Sequence, residues 1–279
     1  MSGALYVVST PIGNLGDITR RAAETLGAAD RVAAEDTRRT RALLSHLGIG
    51  GKPVVKLDAH AGDDAIDGLV DALKKGESVA LVTDAGTPSV SDPGTELVKR
   101  AAQSGVAVMA IPGASAVTAA VSVSGLVDGP FLFLGFLPRK GEKRKRALRR
   151  VASSIEPVVL FEAPNRIRET IADLAQVAPN RRACVARELT KMHEELLRGT
   201  LADLAAQAVM ERGEFTLVVE GNGDPEAADD GDVDALVTAR LDSGDPARTI
   251  ADDVAEVSGR PRREVYARVL ALRKLREDG

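Results

Sequence analysis

The stretch 79–94, VALVTDAGTPSVSDPG, constrains this chain most: four apolar residues stop abruptly at a loop of glycines, prolines, small hydroxyls and two aspartates. Residues 79–82 read as a buried strand, because they are apolar, rich in valine and bounded by turn chemistry. The loop that follows is too long and too rigid for an ordinary strand–helix turn. Pro88 and Pro93 fix φ, while Gly86 and Gly94 permit backbone that other residues avoid. Open α/β sheets place ligands at such loops, beyond the carboxyl ends of their strands. A plain structural βα loop is the competing reading, and two more loops of the same kind weigh against it. Residues 5–8 run into STPIGNLGD (9–17), and residues 106–111 run into PGASA (112–116). Each then enters a helical pattern, with Asp17 or Thr19 placed to cap the helix through 22–26 and Ser115 the one through 121. Three strand ends at one sheet edge make a cleft for a small ligand with polar and charged parts. None carries G-x-x-x-x-G-K-[ST], nor G-x-G-x-x-G after a strand, so no familiar phosphate cradle holds that ligand.

A length of 279 residues suggests two modest domains and an appendage. Residues 1–126 alternate strands (5–8, 31–34, 54–57, 79–82, 106–111) with helices. Residues 127–222 form a second α/β domain, with strands at 131–136, 157–161, 183–187 and 215–220 and helices near 143–151, 166–177 and 200–210. Residues 223–279 open on an acidic linker, GDPEAADDGDVD (223–234), without apolar periodicity. Helices at 233–241, 247–256 and 262–275 follow, the last two separated by a turn at Gly259-Arg-Pro. Their layout is that of a helix-turn-helix with Ala251, Val254, Val265, Val269 and Leu272 as core; a three-helix packing or dimerisation module fits equally well.

Hydrophobic content of 44% supports real cores, yet aromatics are 3% and tryptophan is absent, so Ala, Val and Leu do the packing. The single cysteine, Cys184, excludes an internal disulfide and fits a reducing cytosol. Residues 1–15 lack the pattern of a signal peptide. The uncharged stretch 105–127 is broken by Pro112-Gly113 and built from Ala, Val and Ser, and reads as strand–turn–helix rather than a membrane span. Metal chemistry is not expected, since His46, His60 and His193 show no ligand spacing. Nor is a protein nucleophile: Cys184 sits in an apolar strand pattern, and Ser89, Ser91 and Ser115 lie in loops without a nearby histidine. The net charge of −4 conceals an asymmetry, because residues 139–150 hold eight Lys/Arg against the single Glu142.

The segments LYVVSTPIGNLGDIT (5–19), AAEDTRRTRALLSHLGI (33–49), LVTDAGTPSVSDPG (81–94), IPGASA (111–116), FLGFLPRKG (133–141), LFEAPNRI (160–167), ARELTKMHEE (186–195) and GEFTLVVEG (213–221) occur in order along nearly the whole chain. Together the sequence resembles the bacterial 16S rRNA (cytidine) 2′-O-ribose methyltransferases of the tetrapyrrole methylase superfamily. TPIGNLGDIT, AEDTR and FEAPNRI carry the likeness to the RNA-modifying branch. The resemblance implies an S-adenosylmethionine donor folded in a cleft between the two α/β domains, 16S rRNA in the small ribosomal subunit as substrate, and a cytoplasmic homodimer. Carried over by position, it implicates Pro11, Gly13 and Asn14, then Asp84, Ala85, Gly86, Ser89 and Val90, then Ser115 and Ala116, in donor binding. From the second domain it implies that Leu134, Gly135, Phe161 and Glu162 close over the adenosine. Asp84-Ala-Gly-Thr-Pro stands where porphyrinoid enzymes often have Gly-Asp-Pro, which weighs against methylation of a tetrapyrrole carbon.

Methyl transfer from a sulfonium needs alignment of donor and acceptor rather than a metal or a protein nucleophile. A ribose 2′-hydroxyl is a weak acid and gains from a nearby acceptor of its proton. Glu35 and Asp36, at the end of strand 31–34, are candidates, with Arg38, Arg39 and Arg41 beside them to hold phosphates; an acidic helix cap with solvated arginines is the alternative. Arg139, Lys140, Lys143, Arg144, Lys145 and Arg146 are the expected grip on flanking RNA. A porphyrinoid C-methyltransferase and a non-catalytic donor-binding RNA or ribosome-binding protein remain the rival functions.

Overall fold

The computed structural model describes residues 3–58, 62–90, 94–207, 211–222, 230–243, 245–258 and 260–277. His60, Ser91, Pro93, residues 223–229 of the acidic stretch and Gly259 of the expected turn lie outside the described residues.

Strands β1 (Ala4–Val8), β2 (Arg31–Ala34), β3 (Val54–Lys56), β4 (Val79–Val82) and β5 (Ala107–Ile111) form an all-parallel sheet in the order β3-β2-β4-β1-β5. Helices α1 (Arg20–Ala28), α2 (Thr37–His46), α3 (Asp63–Lys74) and α4 (Thr95–Gln103) connect them. The two-residue period of the strands sorts the core onto two faces. Leu5 and Leu81 pack with Leu69, Leu73 and Leu97 on one side, and Val8 and Val82 with Leu26 and Leu44 on the other. Every residue of β4 is buried, as expected of a strand covered on both faces. Thr19, rather than Asp17, caps α1: its hydroxyl accepts the Ala22 amide at 3.1 Å.

After α5 (Ala116–Ser124) the chain builds β6 (Leu132–Phe136), α6 (Gly141–Ser153), β7 (Val158–Glu162), α7 (Ile167–Val177), β8 (Arg182–Arg187), β9 (Glu195–Thr200), α8 (Leu201–Ala206) and β10 (Phe215–Val219). The second sheet runs β6-β7-β10-β8-β9, with only β6 and β7 parallel. β9 was absent from the sequence expectation, because ELLRGT neither alternates nor forms an apolar run; its pairing with β8 makes it a strand. Ser115 stands at the N-cap of α5 without a side-chain cap bond, so the expected cap is not made. Val117 and Ala120 of α5 pack with Val159, Cys184 and Val218 of the second sheet. The expected division at 126 follows chain order, whereas packing joins α5 to the second sheet across the interface.

α9 (Asp230–Asp242), α10 (Ala247–Ser258) and α11 (Arg262–Glu277) form a third unit. Residues 230–234, expected in the linker, begin α9 instead. Val233, Val237, Ile250, Ala251, Val254, Val265 and Val269 make its core, with Leu272 partly buried beside them. No described helix is long and apolar enough to cross a membrane.

Candidate active site in the interdomain cleft

The three loops meet beyond the carboxyl ends of β1, β4 and β5 and are bonded to one another. Thr10 and Gly86 exchange backbone hydrogen bonds of 2.9 and 3.1 Å. Ser9 Oγ and Thr87 Oγ1 lie 2.9 Å apart, and Thr87 donates to the Ala114 carbonyl at 3.3 Å. Gly86 has φ +84°, which strains any residue with a side chain, and a Cβ there would crowd Ile12 Cγ2 at 3.3 Å.

Two cavities of about 340 Å³ each open here, within the range of small-molecule sites. One is walled by Gly86, Val90, Ser115, Ala116, Phe161 and Glu162 together with Ala85, so seven of the fourteen residues expected at the donor line one space. The other contains Pro11, Gly13, Asp84 and Ala85 with Arg39 and Lys191. Ile12, Ala85 and Glu214 belong to both, which makes the two spaces neighbours with a common wall. Ser89 has φ +67° and a buried Oγ with no hydrogen-bond partner among the described residues. A cradle at Gly86 and apolar walls for a flat base suit S-adenosylmethionine chemically. Asn14 contributes differently: its Oδ1 accepts the Gly16 amide at 2.9 Å, and its own amide donates to Thr190 Oγ1 at 3.1 Å.

Two donor-site expectations are corrected. Leu134 and Gly135 line neither of these cavities, because β6 carries a bulge between Phe133 and Gly135. Phe133 pairs with Val159 and Gly135 with Leu160, so Leu134 is the extra residue and the side-chain alternation shifts. Phe136 lines the apolar cavity in their stead.

Three carboxylates gather at the ends of β2 and β4. Asp36 is the N-cap of α2, accepting the Arg38 amide at 2.8 Å and pairing with the Arg38 guanidinium at 2.8 Å. The Arg38 side-chain bonds, then the Arg38 amide, hold its pKa well below the usual range. Glu35 Oε2 accepts from Thr83 Oγ1 at 2.8 Å and faces the Asp84 amide at 3.4 Å. Asp84 Oδ1 accepts the Asp36 amide at 3.0 Å, and its Oδ2 lies 3.5 Å from Arg39. Burial, and to a lesser degree the Glu35 charge, raise the Asp84 pKa above its ordinary value despite that amide bond. Of the three, only Asp84 lines the polar cavity. Arg41 is exposed and borders a separate groove with residues 48–52, away from the cleft.

The second domain supplies residues without a role in the sequence reading. Lys191, within ARELTKMHEE, lies across Gly13 so closely that a Cβ there would meet its Cγ at 2.4 Å. Its Nζ bonds Glu188 at 2.8 Å and Glu214 at 3.0 Å. Burial opposes its charge, but these two carboxylates outweigh it and raise the pKa. Glu162 is buried and accepts from Thr170 Oγ1 at 2.6 Å and from the Ala163 amide at 2.8 Å.

Arg144 is a further correction. It is 5% exposed and donates to Asp173 (2.8 Å), Thr170 Oγ1 (3.1 Å) and the Pro138 carbonyl (3.2 Å). The helical period turns it inward, so it braces the domain and is not available to RNA. Arg139, Lys140, Lys143, Lys145 and Arg146 are exposed, with Lys145 paired to Glu142 at 3.0 Å. Cys184 is buried in β8, and burial raises its thiol pKa, as suits an inert core position. No group of three or more potential metal ligands occurs among the described residues.

Comparison with known proteins follows this geometry. The family model of the tetrapyrrole (corrin/porphyrin) methylases matches residues 4–205. A ribosomal RNA small subunit methyltransferase I from Xylella fastidiosa is 43% identical over 272 residues, covering 95% of this chain and 98% of its own. One of the same name from Bacillus subtilis is 39% identical, covering 95% and 93%. Among solved structures, uroporphyrin-III C-methyltransferase from Thermus thermophilus, complexed with S-adenosylhomocysteine, is 18% identical with a TM-score of 0.55, covering 77% of this chain and 97% of its own. A conserved hypothetical protein from Aeropyrum pernix is 20% identical with a TM-score of 0.61, covering 96% of both. The two-domain fold, the cleft and these relatives place the chain in the tetrapyrrole (corrin/porphyrin) methylase family, among the ribosomal RNA small subunit methyltransferases I.

Proposed function

We propose that this chain transfers a methyl group from S-adenosylmethionine to the ribose 2′-hydroxyl of a cytidine in 16S rRNA of the small ribosomal subunit. The observation that carries the reading is the pair of neighbouring spaces with a common wall at Ile12, Ala85 and Glu214. One has the apolar walls that a donor's flat base requires; the other has the charged side chains that a nucleotide requires. The names of the relatives support the choice of RNA, as does the exposed basic face of α6.

The donor supplies an electrophilic methyl group, leaving the protein to align, desolvate and remove a proton. Gly86, Val90, Ser115, Ala116, Phe161 and Glu162 hold the donor. Asp84 accepts the 2′-hydroxyl proton, since a carboxylate with a raised pKa lining the polar space suits a general base better than the strongly paired Asp36. Glu35 fixes the junction of β4 with its loop through Thr83 and Asp84. Arg39 and Lys191 flank the acceptor. Lys140, Lys143, Lys145, Arg146 and the neighbouring cations grip flanking phosphates, and the molecule works as a cytoplasmic homodimer.

A labelled methyl-transfer assay on undermethylated small ribosomal subunits tests the reading, with porphyrinogen as the control acceptor. Label in the 2′-O position of a 16S rRNA cytidine is the expected result. Label in porphyrinogen, or donor binding without transfer to either, overturns it in favour of one or other rival.

A further inference from the structure

Phe136 occupies a place that donor binding alone does not explain. It is 54% exposed in a chain with five phenylalanines, two tyrosines and no tryptophan. Its ring centroid lies 5.7 Å from that of Phe161, which is edge-on to Phe133 at 5.0 Å. The three rings form a series from the packed face of the sheet to its surface, so Phe136 is braced on one side and open on the other. The open side borders two spaces: the donor cavity, and a groove of about 1120 Å³ along α6. Lys143, Arg146, Arg149 and Arg150 rim that groove, while Leu134, Ala147 and Val177 give it an apolar floor. All four cations are exposed, and Lys143, Arg146 and Arg150 form no ion pair among the described residues.

We infer that Phe136 is a stacking platform for a nucleobase of a single-stranded RNA segment lying in this groove, which leads the target ribose from the basic face of α6 into the cleft. The inference rests on the RNA reading above and adds to it the path of the substrate. A single-signed row of cations matches a phosphate backbone, and a rigid exposed ring beside it matches the face of a base; single-strand binders combine these two elements. The bulge at Leu134 brings the ring to the mouth of the cleft, where the basic groove and the donor cavity meet.

Binding to undermethylated small ribosomal subunits at several salt concentrations tests this. Phe136→Ala is expected to weaken binding by roughly 5- to 150-fold, the equivalent of one lost base stack. The slope of log affinity against log salt stays unchanged, because no charge is removed, and Phe136→Tyr restores affinity. Lys143→Ser with Arg146→Ser does the reverse, flattening the slope by about 1.4. Phe136→Trp introduces the only tryptophan, and its emission is quenched by a cytidine-bearing single-stranded RNA but not by an abasic strand of equal length. Wild-type subunit affinity in Phe136→Ala overturns the inference, as does a loss confined to S-adenosylhomocysteine affinity in calorimetry. If the wild-type protein fails to methylate subunits, the RNA reading itself falls; if it succeeds and Phe136→Ala binds normally, only the platform does.

Discussion

The two walls of the cleft are built on different principles. The wall from the first domain consists of loops beyond parallel strands, held together by backbone bonds such as Thr10–Gly86, with carboxylates that are half-buried and incompletely matched. The wall from the second domain consists of side chains on strand ends, Phe136, Phe161 and Glu162, and its buried carboxylate is satisfied internally by Thr170, Ala163 and Arg166. The first arrangement leaves polar groups free to meet a ligand. The second excludes water and positions. On the proposed function, chemistry belongs to the loops of the first domain, and shape to the strands of the second.

The sharpest way to break that division is Asp84→Asn, which keeps Oδ1 as acceptor for the Asp36 amide and removes the base. Single-turnover methylation is expected to fall by about 10²- to 10⁴-fold, with S-adenosylhomocysteine affinity little changed. Because burial raises the Asp84 pKa above 3.8, the wild-type rate should rise with pH through that elevated value and not through the ordinary one. An unaltered rate in Asp84→Asn would return the role to Glu35 or Asp36.

Next in size is a contrast within α6. Arg144→Ala leaves Asp173 without its partner in a buried network, a class of change that costs about 3–5 kcal/mol; the lower end applies, since the Asp173 side chain is 27% exposed. Arg146→Ala, on the exposed face, should leave thermal stability at the wild-type level while weakening RNA binding. Equal melting curves for both variants would deny the inward role of Arg144. Gly86→Val should lower donor affinity in calorimetry, since its φ of +84° strains a branched side chain and its Cβ would crowd Ile12.

The smallest expected effect is on stability and has the opposite sign to the loss of rate. An aspartate with a raised folded-state pKa binds its proton more tightly when folded, so stability declines as pH climbs from 3.8 to that raised value and stays reduced above it. Asp84→Asn should therefore melt slightly higher than wild type at neutral pH, with the gain vanishing below pH 3.8. A lower melting temperature at neutral pH would mean that Asp84 braces the loop rather than straining it.

Periodicity and turn chemistry determined the strands of both sheets other than β9, the three strand-end loops and the core of the C-terminal helices, because these depend on neighbours within a few residues. The resemblance those loops carry was enough to name the donor, and it singled out seven of the fifteen residues that line the apolar cavity. Tertiary structure alone decided the rest. β9 exists through its pairing with β8, and a single bulge in β6 exchanged Leu134 and Gly135 for Phe136 at the cleft. The cap of α2 by Asp36 is local, but the hydrogen bond that turns Glu35 toward Thr83 joins residues 48 positions apart. Lys191 joined the site because the second domain folds over Gly13. In α6, six similar charges in sequence became one buried brace and a solvated face, since a helix buries residues by the direction in which they point and not by their charge.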